Sequence, residues 1–379
     1  MKRLHYKLGL LACLALALAG CQTPDQAEEG QAQDQAQSGQ EAQTDDQEAP
    51  ALSINHYPAA IEEGHYKMSE SRGLMARPTS EANMRNFEEG LYRIAEGQFS
   101  TEEYYFQEGQ LITREMANQW LGAKTEDNPE GLNPEASASD KREDYQPKYL
   151  NSILEYNFMK KDDEDNYKLE GVTIGLALNS EDTFSNGESQ EKIAIDKDQA
   201  LEHGKQIAEE VVARIRKDKK YAKLPIQVAL FYNGPTDSLA GGAYAAEVVS
   251  VAGTAFSDWE NYDTQNHALG VDSGAAEEDN VAFARFTSEV EDFFPRLSGI
   301  SGVGTYEEGR LSQIDIEINT QFDGYSEIIA LVQHTMNTAN TIFRNNRGAI
   351  TIRVEGPSGM RAIMERQAGE NNFTYEMIS

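Results

Sequence analysis

A short apolar segment near the N-terminus, residues 8–19, sets the strongest limit on how this chain folds. Three basic residues precede it, Lys2, Arg3 and Lys7, and it ends in the motif Leu18-Ala19-Gly20-Cys21. A transmembrane helix needs about 20 apolar residues, so this segment is too short to span a bilayer permanently. A basic start, a short apolar stretch and small residues at its end are typical of a secretory signal peptide, which is removed before the protein folds.

The cysteine at the end of this segment indicates lipidation. Ala19 and Gly20 are small enough to let a peptidase reach the backbone, and the thiol of Cys21 can take a diacylglyceryl group. We therefore predict a lipoprotein signal peptide at 1–20, with Leu18, Ala19 and Gly20 recognised by the signal peptidase and Cys21 as the acylated mature N-terminus. The alternative interpretations are an ordinary secretory signal with a chance cysteine and a buried apolar helix.

Acylation of Cys21 would determine where the protein resides. Two or more acyl chains anchor a protein stably, whereas one binds a membrane only marginally. The expected location is the cell membrane, with the protein lipid-anchored on its extracytoplasmic face. The expected partners are the lipid bilayer, through acylated Cys21, and the lipoprotein-processing enzymes.

A polar segment, residues 21–53, follows the signal. Between residues 22 and 50 it consists mainly of Gln, Ala, Asp, Glu, Gly and Ser and contains no Lys or Arg. Such a composition buries too little apolar surface to offset the entropy of ordering the chain, so we predict a disordered acidic tether. Repulsion between its carboxylates favours an extended chain.

Charge and cysteine content exclude several classes of function. The net charge is −31, and loss of the three basic residues of the signal leaves −34, which opposes binding to the phosphates of nucleic acids. The two cysteines are Cys13 and Cys21, both in the signal region. After processing, the mature chain has no disulfide, no thiolate metal site and no cysteine nucleophile.

The remainder divides into two predicted regions, an aromatic-rich mixed region at 54–165 and an α+β domain at 166–379. In the first region, the patterns predict helices beginning near Ser80, at 114–121 and at 149–158. In the second, they predict strands and helices in the order β-α-β-β-α-β-β-α-β-α-β. The predicted strands are 169–179, 225–232, 244–251, 299–306, 311–322, 349–354 and 373–377. The predicted helices are 196–219, 281–294, 326–343 and 357–367.

This order predicts the fold class. Strands mostly arrive in adjacent pairs with a helix between pairs, so we expect helices packed on a largely antiparallel sheet. A doubly wound parallel sheet would show strict alternation of strand and helix. The recurrence of one helix and two strands is also what a weak internal repeat would produce.

The sequence offers no recognisable catalytic or metal-binding motif. Gly302 and Gly304 resemble the start of a dinucleotide loop, but Glu307 stands where the third glycine belongs. His56 and His65 lie near Glu62 and Glu63 in sequence without metal-ligand spacing, and the acidic run 162–165 lacks the EF-hand pattern. We therefore expect a protein that is not an enzyme and holds no metal or cofactor.

Clustered aromatic residues leave a second function open. Such residues either pack in a core or line a groove of an envelope binding module that takes a peptide or a glycan. Core packing is the favoured interpretation, and the ligand of the mature domain is not predicted. The residues are Tyr104, Tyr105, Phe106, Trp120 and Trp259.

An ordered set of motifs resembles the CamS family of sex-pheromone lipoproteins from Firmicutes, over the chain from about residue 55 to its end. The motifs are GLNP at 131–134, YLNSILE at 149–155, LEGVTIGLALNS at 169–180, FFP at 293–295 and GVGTY at 302–306. The resemblance implies a membrane lipoprotein whose trimmed signal peptide releases a short hydrophobic conjugation pheromone. It also implies a mature domain without known catalytic activity. The corresponding pheromone segment here is Leu14, Ala15, Leu16, Ala17, Leu18, Ala19 and Gly20.

Overall fold

The computed structural model describes residues 56–135, 141–187, 189–294 and 297–378. The predicted signal peptide and acidic tether lie outside these ranges. In the first half, the structure contains three helices, α1 Glu81–Gln98, α2 Arg114–Leu121 and α3 Lys197–Ile215. The strands of this half are β1 Ile61–Glu62, β2 His65–Tyr66, β3 Tyr105–Glu108, β4 Leu150–Lys161, β5 Tyr167–Leu178, β6 Glu181–Ser185, β7 Gln190–Ala194, β8 Ile226–Tyr232, β9 Ala243–Ser250 and β10 Glu260–Asn261.

The second half contains two further helices, α4 Glu277–Phe293 and α5 Tyr325–Ile342. Its strands are β11 Thr264–Ala268, β12 Leu297–Glu307, β13 Arg310–Thr320, β14 Ala349–Gly356, β15 Gly359–Arg366 and β16 Thr374–Met377. Among the described helices, none combines the length and the apolar character needed to cross a membrane. Helices and largely antiparallel strands occur together throughout, so the predicted α+β class is confirmed.

Two six-stranded sheets share one topology. The first sheet has the order β10-β9-β8-β5-β4-β3 and the second the order β11-β12-β13-β14-β15-β16. Each is antiparallel except for one central parallel pair, β5 with β8 and β13 with β14. In each sheet, one helix lies between the two parallel strands in sequence, and another helix precedes the central four strands. The order α2-β4-β5-α3-β8-β9 therefore corresponds to α4-β12-β13-α5-β14-β15. The recurrence seen in the sequence corresponds to this duplicated order.

The first sheet is covered on both faces. On one face of β5, Val172 and Ile174 belong to the core formed with α2 and α3. On the other face, Ala177 belongs to a second core with Phe87 and Leu91 of α1. Successive side chains of a strand point to opposite faces, so a strand buried on both sides is apolar almost throughout.

The second sheet is covered by helices on one face. Ile314, Ile316 and Ile318 of β13 are buried in a core with Phe286 of α4 and Leu331 of α5. The alternating residues project from the opposite face, which is polar and lines a cleft. The strand predicted at 311–322 is therefore confirmed, with its apolar side against the helices. The alternating residues that line the cleft are Gln313, Asp315 and Glu317.

The helix predicted at 149–158 is wrong, because these residues form β4. This strand pairs with β5 on one side and β3 on the other, with Glu155 opposite Ile174. Leu150, Ile153 and Leu154 are all buried although they point to different faces. Apolar residues on both faces of a central strand produce a spacing that a helical pattern also matches.

The short helix predicted at 357–367 is also wrong, because Gly359–Arg366 forms β15. The strand follows β14 through a tight turn in which Gly359 has a φ of 109°, a backbone conformation that favours glycine. Ala362, Met364 and Arg366 are buried at every second position. This period of two was hidden because Ile363, between Ala362 and Met364, is apolar and the buried Arg366 is charged.

The helix starts were predicted more accurately. Ser80 and Thr113 cap α1 and α2, and Asp196 caps α3, each accepting a hydrogen bond from a backbone N–H of the first turn. The boundary at 165/166 remains a prediction. In the structure it falls in the turn between β4 and β5, which are neighbours in one sheet.

Candidate functional site

A cleft of about 1610 Å³ lies between the outer side of α1 and the polar face of the second sheet. One wall is formed by α1 residues such as Arg85, Glu89 and Arg93. Strands β9 and β10 contribute Glu247 and Glu260, and strands β12, β13 and β14 form the opposite wall. This large cleft, formed by elements of both sheets, is the candidate site.

Gly242, in the connection between β8 and β9, holds the walls of the cleft together. Its N–H donates to Oδ1 of Asn83 at 2.7 Å, and its carbonyl accepts from Nδ2 of Asn86 at 3.1 Å. The same carbonyl accepts from Nδ2 of Asn266 at 2.8 Å. Asn83 and Asn86 belong to α1, and Asn266 belongs to β11 at the edge of the second sheet. One residue thus links both sheets and the helix.

Only glycine fits at position 242. A Cβ atom there would lie 2.0 Å from the carbonyl oxygen of Tyr232 and 2.7 Å from the backbone nitrogen of Gly234. Both are backbone atoms, so neither can move aside as a flexible side chain would. The close approach of the chain at Gly242 allows the three asparagine side chains to reach it.

The lining of the cleft is strongly acidic. It includes nine carboxylates and three arginines, a formal charge of −6. Two of the arginines have acidic partners within the lining: Arg93 lies 3.5 Å from Glu89, and Arg353 lies 3.4 Å from Asp315. Besides Arg85, the lining contains seven further carboxylates. They are Glu81, Asp237, Glu247, Glu260, Glu307, Glu317 and Glu355.

Two of these carboxylates face each other directly. Glu247 on β9 and Glu260 on β10 are paired in register across the antiparallel strands. Like charges at such positions are destabilising, since the side chains lie close together. Within the described residues, neither carboxylate forms an ion pair.

Neutral polar groups support Glu247. Nε2 of Gln227 donates to Oε2 of Glu247 at 2.9 Å. Burial raises the pKa of Glu247, the charge of Glu260 raises it further, and hydrogen bonds from Tyr262 and Gln227 oppose the rise. Among the residues that the structure describes, no positive side chain pairs with Glu247 or Glu260, which suits this part of the wall to a positively charged ligand group.

The sequence singled out two groups of residues, the lipidation segment and a set of aromatic residues. Cys21, its recognition residues Leu18, Ala19 and Gly20, and the segment 14–20 lie outside the described residues. The aromatic residues pack instead of lining the cleft: Trp120 is buried in the first core, and Tyr104 and Phe106 pack against the aromatic core beneath α1. Core packing thus holds for Trp120, whereas Tyr104, Phe106 and Trp259 are only partly buried against the cores and the ring of Tyr105 contacts Tyr167 outside them.

The histidines and acidic residues singled out in the sequence are also accounted for. His65 lies opposite Glu62 in the hairpin β1–β2, and the ring centroid of His56 lies 6.1 Å from that of Tyr92 on α1. Asp162 accepts hydrogen bonds from the backbone N–H groups of Glu164 and Asn166, which closes its loop. Across the described ranges, no group of three or more His, Cys, Asp and Glu side chains is arranged to hold a metal ion.

The residues of the cleft were not found from the sequence. Glu247, Glu260 and Glu317 belong to three strands far apart along the chain and form no motif. One local signal was present, because β13 alternates isoleucine with Gln313, Asp315 and Glu317, which indicates a polar face. The sequence did not show what that face lies against.

Comparisons with known proteins identify the fold. The structure of a sex pheromone precursor from Lactobacillus salivarius superposes with a TM-score of 0.78 at 30% identity, covering 86% of this chain and 97% of that one. The C-terminal domain of the sex pheromone staph-cAM373 precursor from Staphylococcus aureus gives a TM-score of 0.66 at 22% identity, covering 79% and 97%. A search of curated sequences finds no match.

These likenesses define a class of protein, the two-sheet α+β proteins described as sex pheromone precursors. The family model described as CamS sex pheromone cAM373 precursor matches residues 66–372. The chain belongs to the CamS family, as its motifs predicted.

Proposed function

We propose that this protein is the precursor of a membrane-anchored lipoprotein, and that its signal peptide also yields a short hydrophobic messenger. The observation that carries the proposal is Cys21, which directly follows Leu18, Ala19 and Gly20 in a chain of the CamS family. In this proposal, Cys21 is acylated and holds the protein on the extracytoplasmic face of the cell membrane. The segment 14–20 is the messenger, as the family's description suggests for such a precursor.

Replacement of Cys21 with serine tests the anchor. A serine hydroxyl cannot form the thioether, so we expect the variant to be released into the medium or to remain an uncleaved precursor. The measurement is immunoblotting of membrane and medium fractions, with mass spectrometry of the mature N-terminus. Cys13→Ser is the matched control and should leave anchoring unchanged. A Cys21→Ser protein that is still processed and retained in the membrane contradicts the proposal.

A synthetic peptide tests the messenger. A peptide of residues 14–20 added to plasmid-bearing donor cells is expected to increase clumping and mating. A peptide of the same composition in scrambled order is the control, because it keeps the hydrophobicity and changes only the order of side chains. No response at any dose, or an equal response to both peptides, contradicts the messenger and leaves the anchor unaffected.

A second function concerns the mature domain, which we propose to be a binding module and not an enzyme. The cleft is the observation that favours it, since it is large, polar and formed by elements of both sheets. Its lining in the described structure contains no histidine, the side chain that most often acts as a general acid or base near neutral pH. Thermal-shift measurements against peptides and cell-wall glycan fragments test this function, and a screen without any shift contradicts it.

A further inference from the structure

We infer that the cleft binds an extended cationic peptide, with a lysine or arginine side chain placed against Glu247 and Glu260 and the peptide lying along the polar face of the second sheet. This inference rests on the proposal that the mature domain is a binding module. It adds the chemical class of the ligand and the residues that select it.

The size and form of the cleft favour a peptide over a small molecule. Pockets for small molecules occupy about 300–1000 Å³, and this cleft has a volume of about 1610 Å³. One wall is the face of a sheet, where side chains from neighbouring strands form rows across the surface. Such a surface offers repeated hydrogen-bond partners to an extended chain. On the central strands these partners include Gln313, Glu317 and Thr351.

Within the described residues, no helix covers this face of the second sheet, in contrast to the first sheet. In the first sheet, α1 packs on the face that α2 and α3 leave free, and Phe87 and Leu91 bury it. The second sheet has α4 and α5 on one face, and its other face lines the cleft. This face carries polar and charged residues where the first sheet has apolar ones, so the expected occupant is polar and charged.

Charge complementarity indicates whether the occupant is positively or negatively charged. The cleft has a formal charge of −6, and Glu247 and Glu260 repel each other across the strands without an ion-pair partner in the described structure. A cationic side chain between them would be attracted by both and would reduce their mutual repulsion. Apolar side chains at the mouth, Leu239 and Val271, are 68% and 78% exposed and offer contacts for the rest of a peptide.

The negative charge of the cleft also opposes negatively charged occupants. The acidic segment 22–50 of this chain contains no Lys or Arg, so the cleft would repel it. Nucleic acids and anionic glycans are opposed for the same reason. A neutral glycan is not repelled, and the experiment must distinguish it from a peptide.

Fluorescence anisotropy with two labelled peptides tests the inference on the full-length protein in mild detergent. Both probes have about nine residues, which span about 30 Å when extended. One alternates lysine with valine and serine, and the other has glutamine at each lysine position. We expect the lysine peptide to bind at least about tenfold more tightly than the glutamine peptide, a difference of about one ion pair in a partly enclosed site.

A matched pair of variants separates the cleft from general attraction by an acidic protein. Glu247→Gln with Glu260→Gln is expected to weaken binding of the lysine peptide about tenfold. Asp163→Asn with Glu164→Gln changes the net charge equally on an exposed loop away from the cleft, and should change binding less than about twofold. Circular dichroism checks that both double variants remain folded.

The outcomes are distinct. An equal loss in both double variants shows non-specific attraction and overturns the inference. Equal binding of the two peptides, or displacement of the lysine peptide by a neutral cell-wall oligosaccharide, keeps the binding module but overturns the cationic peptide as its ligand. Absence of binding to any peptide or glycan overturns the binding module as well.

Discussion

Replacing Glu155 with alanine is expected to lower the free energy of unfolding by about 3–5 kcal/mol, because it leaves several buried donors without a partner. Glu155 lies in the middle of β4 and is 1% exposed. Its carboxylate accepts hydrogen bonds from the backbone N–H groups of Gln110 at 2.9 Å and Ile112 at 2.7 Å, and both oxygens accept from Leu111. One side chain therefore holds the loop that leads into α2.

Chemical denaturation followed by circular dichroism measures this effect. Glu155→Gln is the informative partner, since it keeps one oxygen acceptor and the size of the side chain, and it should cost less than alanine. Asp163→Ala, on an exposed loop, should change the stability by less than about 0.5 kcal/mol. A Glu155→Ala protein as stable as the Asp163→Ala protein contradicts the proposed role of the carboxylate.

The same carboxylate also introduces a pH dependence. Burial raises the pKa of Glu155, and its backbone hydrogen bonds offset only part of the rise. The folded state therefore holds the proton more tightly than the unfolded state, in which a glutamate titrates near about 4.3. The stability from this group is present below that value and is lost as the pH rises through the folded pKa. Since glutamine does not titrate, the cost of Glu155→Gln should be smaller at about pH 8 than at about pH 5.

Replacing Phe286 with alanine is expected to cost about 3–5 kcal/mol, because it opens a cavity in the core of the second sheet. Phe286 is fully buried, and its ring centroid lies 5.4 Å from that of Phe343 and 6.3 Å from that of Phe283. The core has little room to collapse around the cavity, since its neighbours belong to α4, α5 and β13 and are fixed by their own packing.

Phe293 provides a matched control for this prediction, because it is the same residue type on the same helix. Its side chain is 52% exposed and stacks on His334. Phe293→Ala should therefore cost no more than about 1 kcal/mol. Denaturation curves followed by circular dichroism measure both variants. Equal costs at the two positions contradict the assignment of Phe286 to the core.

Local patterns predicted the parts of this fold that depend on neighbours in sequence. Capping side chains such as Ser80, Thr113 and Asp196 act within one turn of their own helix, so the starts of α1, α2 and α3 could be found. The motifs of the chain also predicted its family. The strand β4 was mistaken for a helix because burial on both faces removes the alternation that marks a strand.

The sequence could not predict the cleft either, and the reason differs from the one that applies to β4. Glu247 and Glu260 come together through the pairing of β9 with β10, and the opposite wall comes from strands that begin after residue 296. In a chain with 64 acidic residues, two carboxylates carry no information until tertiary structure brings them together. The link at Gly242 was hidden as well, since glycine alone does not reveal which side chains approach it.

The duplicated topology has a consequence for the order in which the chain folds during synthesis. All strands of the first sheet end at or before Asn261, and all strands of the second begin at Thr264 or later. Within the described ranges, no strand crosses from one sheet to the other, so a chain that emerges N-terminus first can complete the first sheet before the second exists. The cleft takes its walls from both halves and is therefore finished only when the C-terminal strands have emerged.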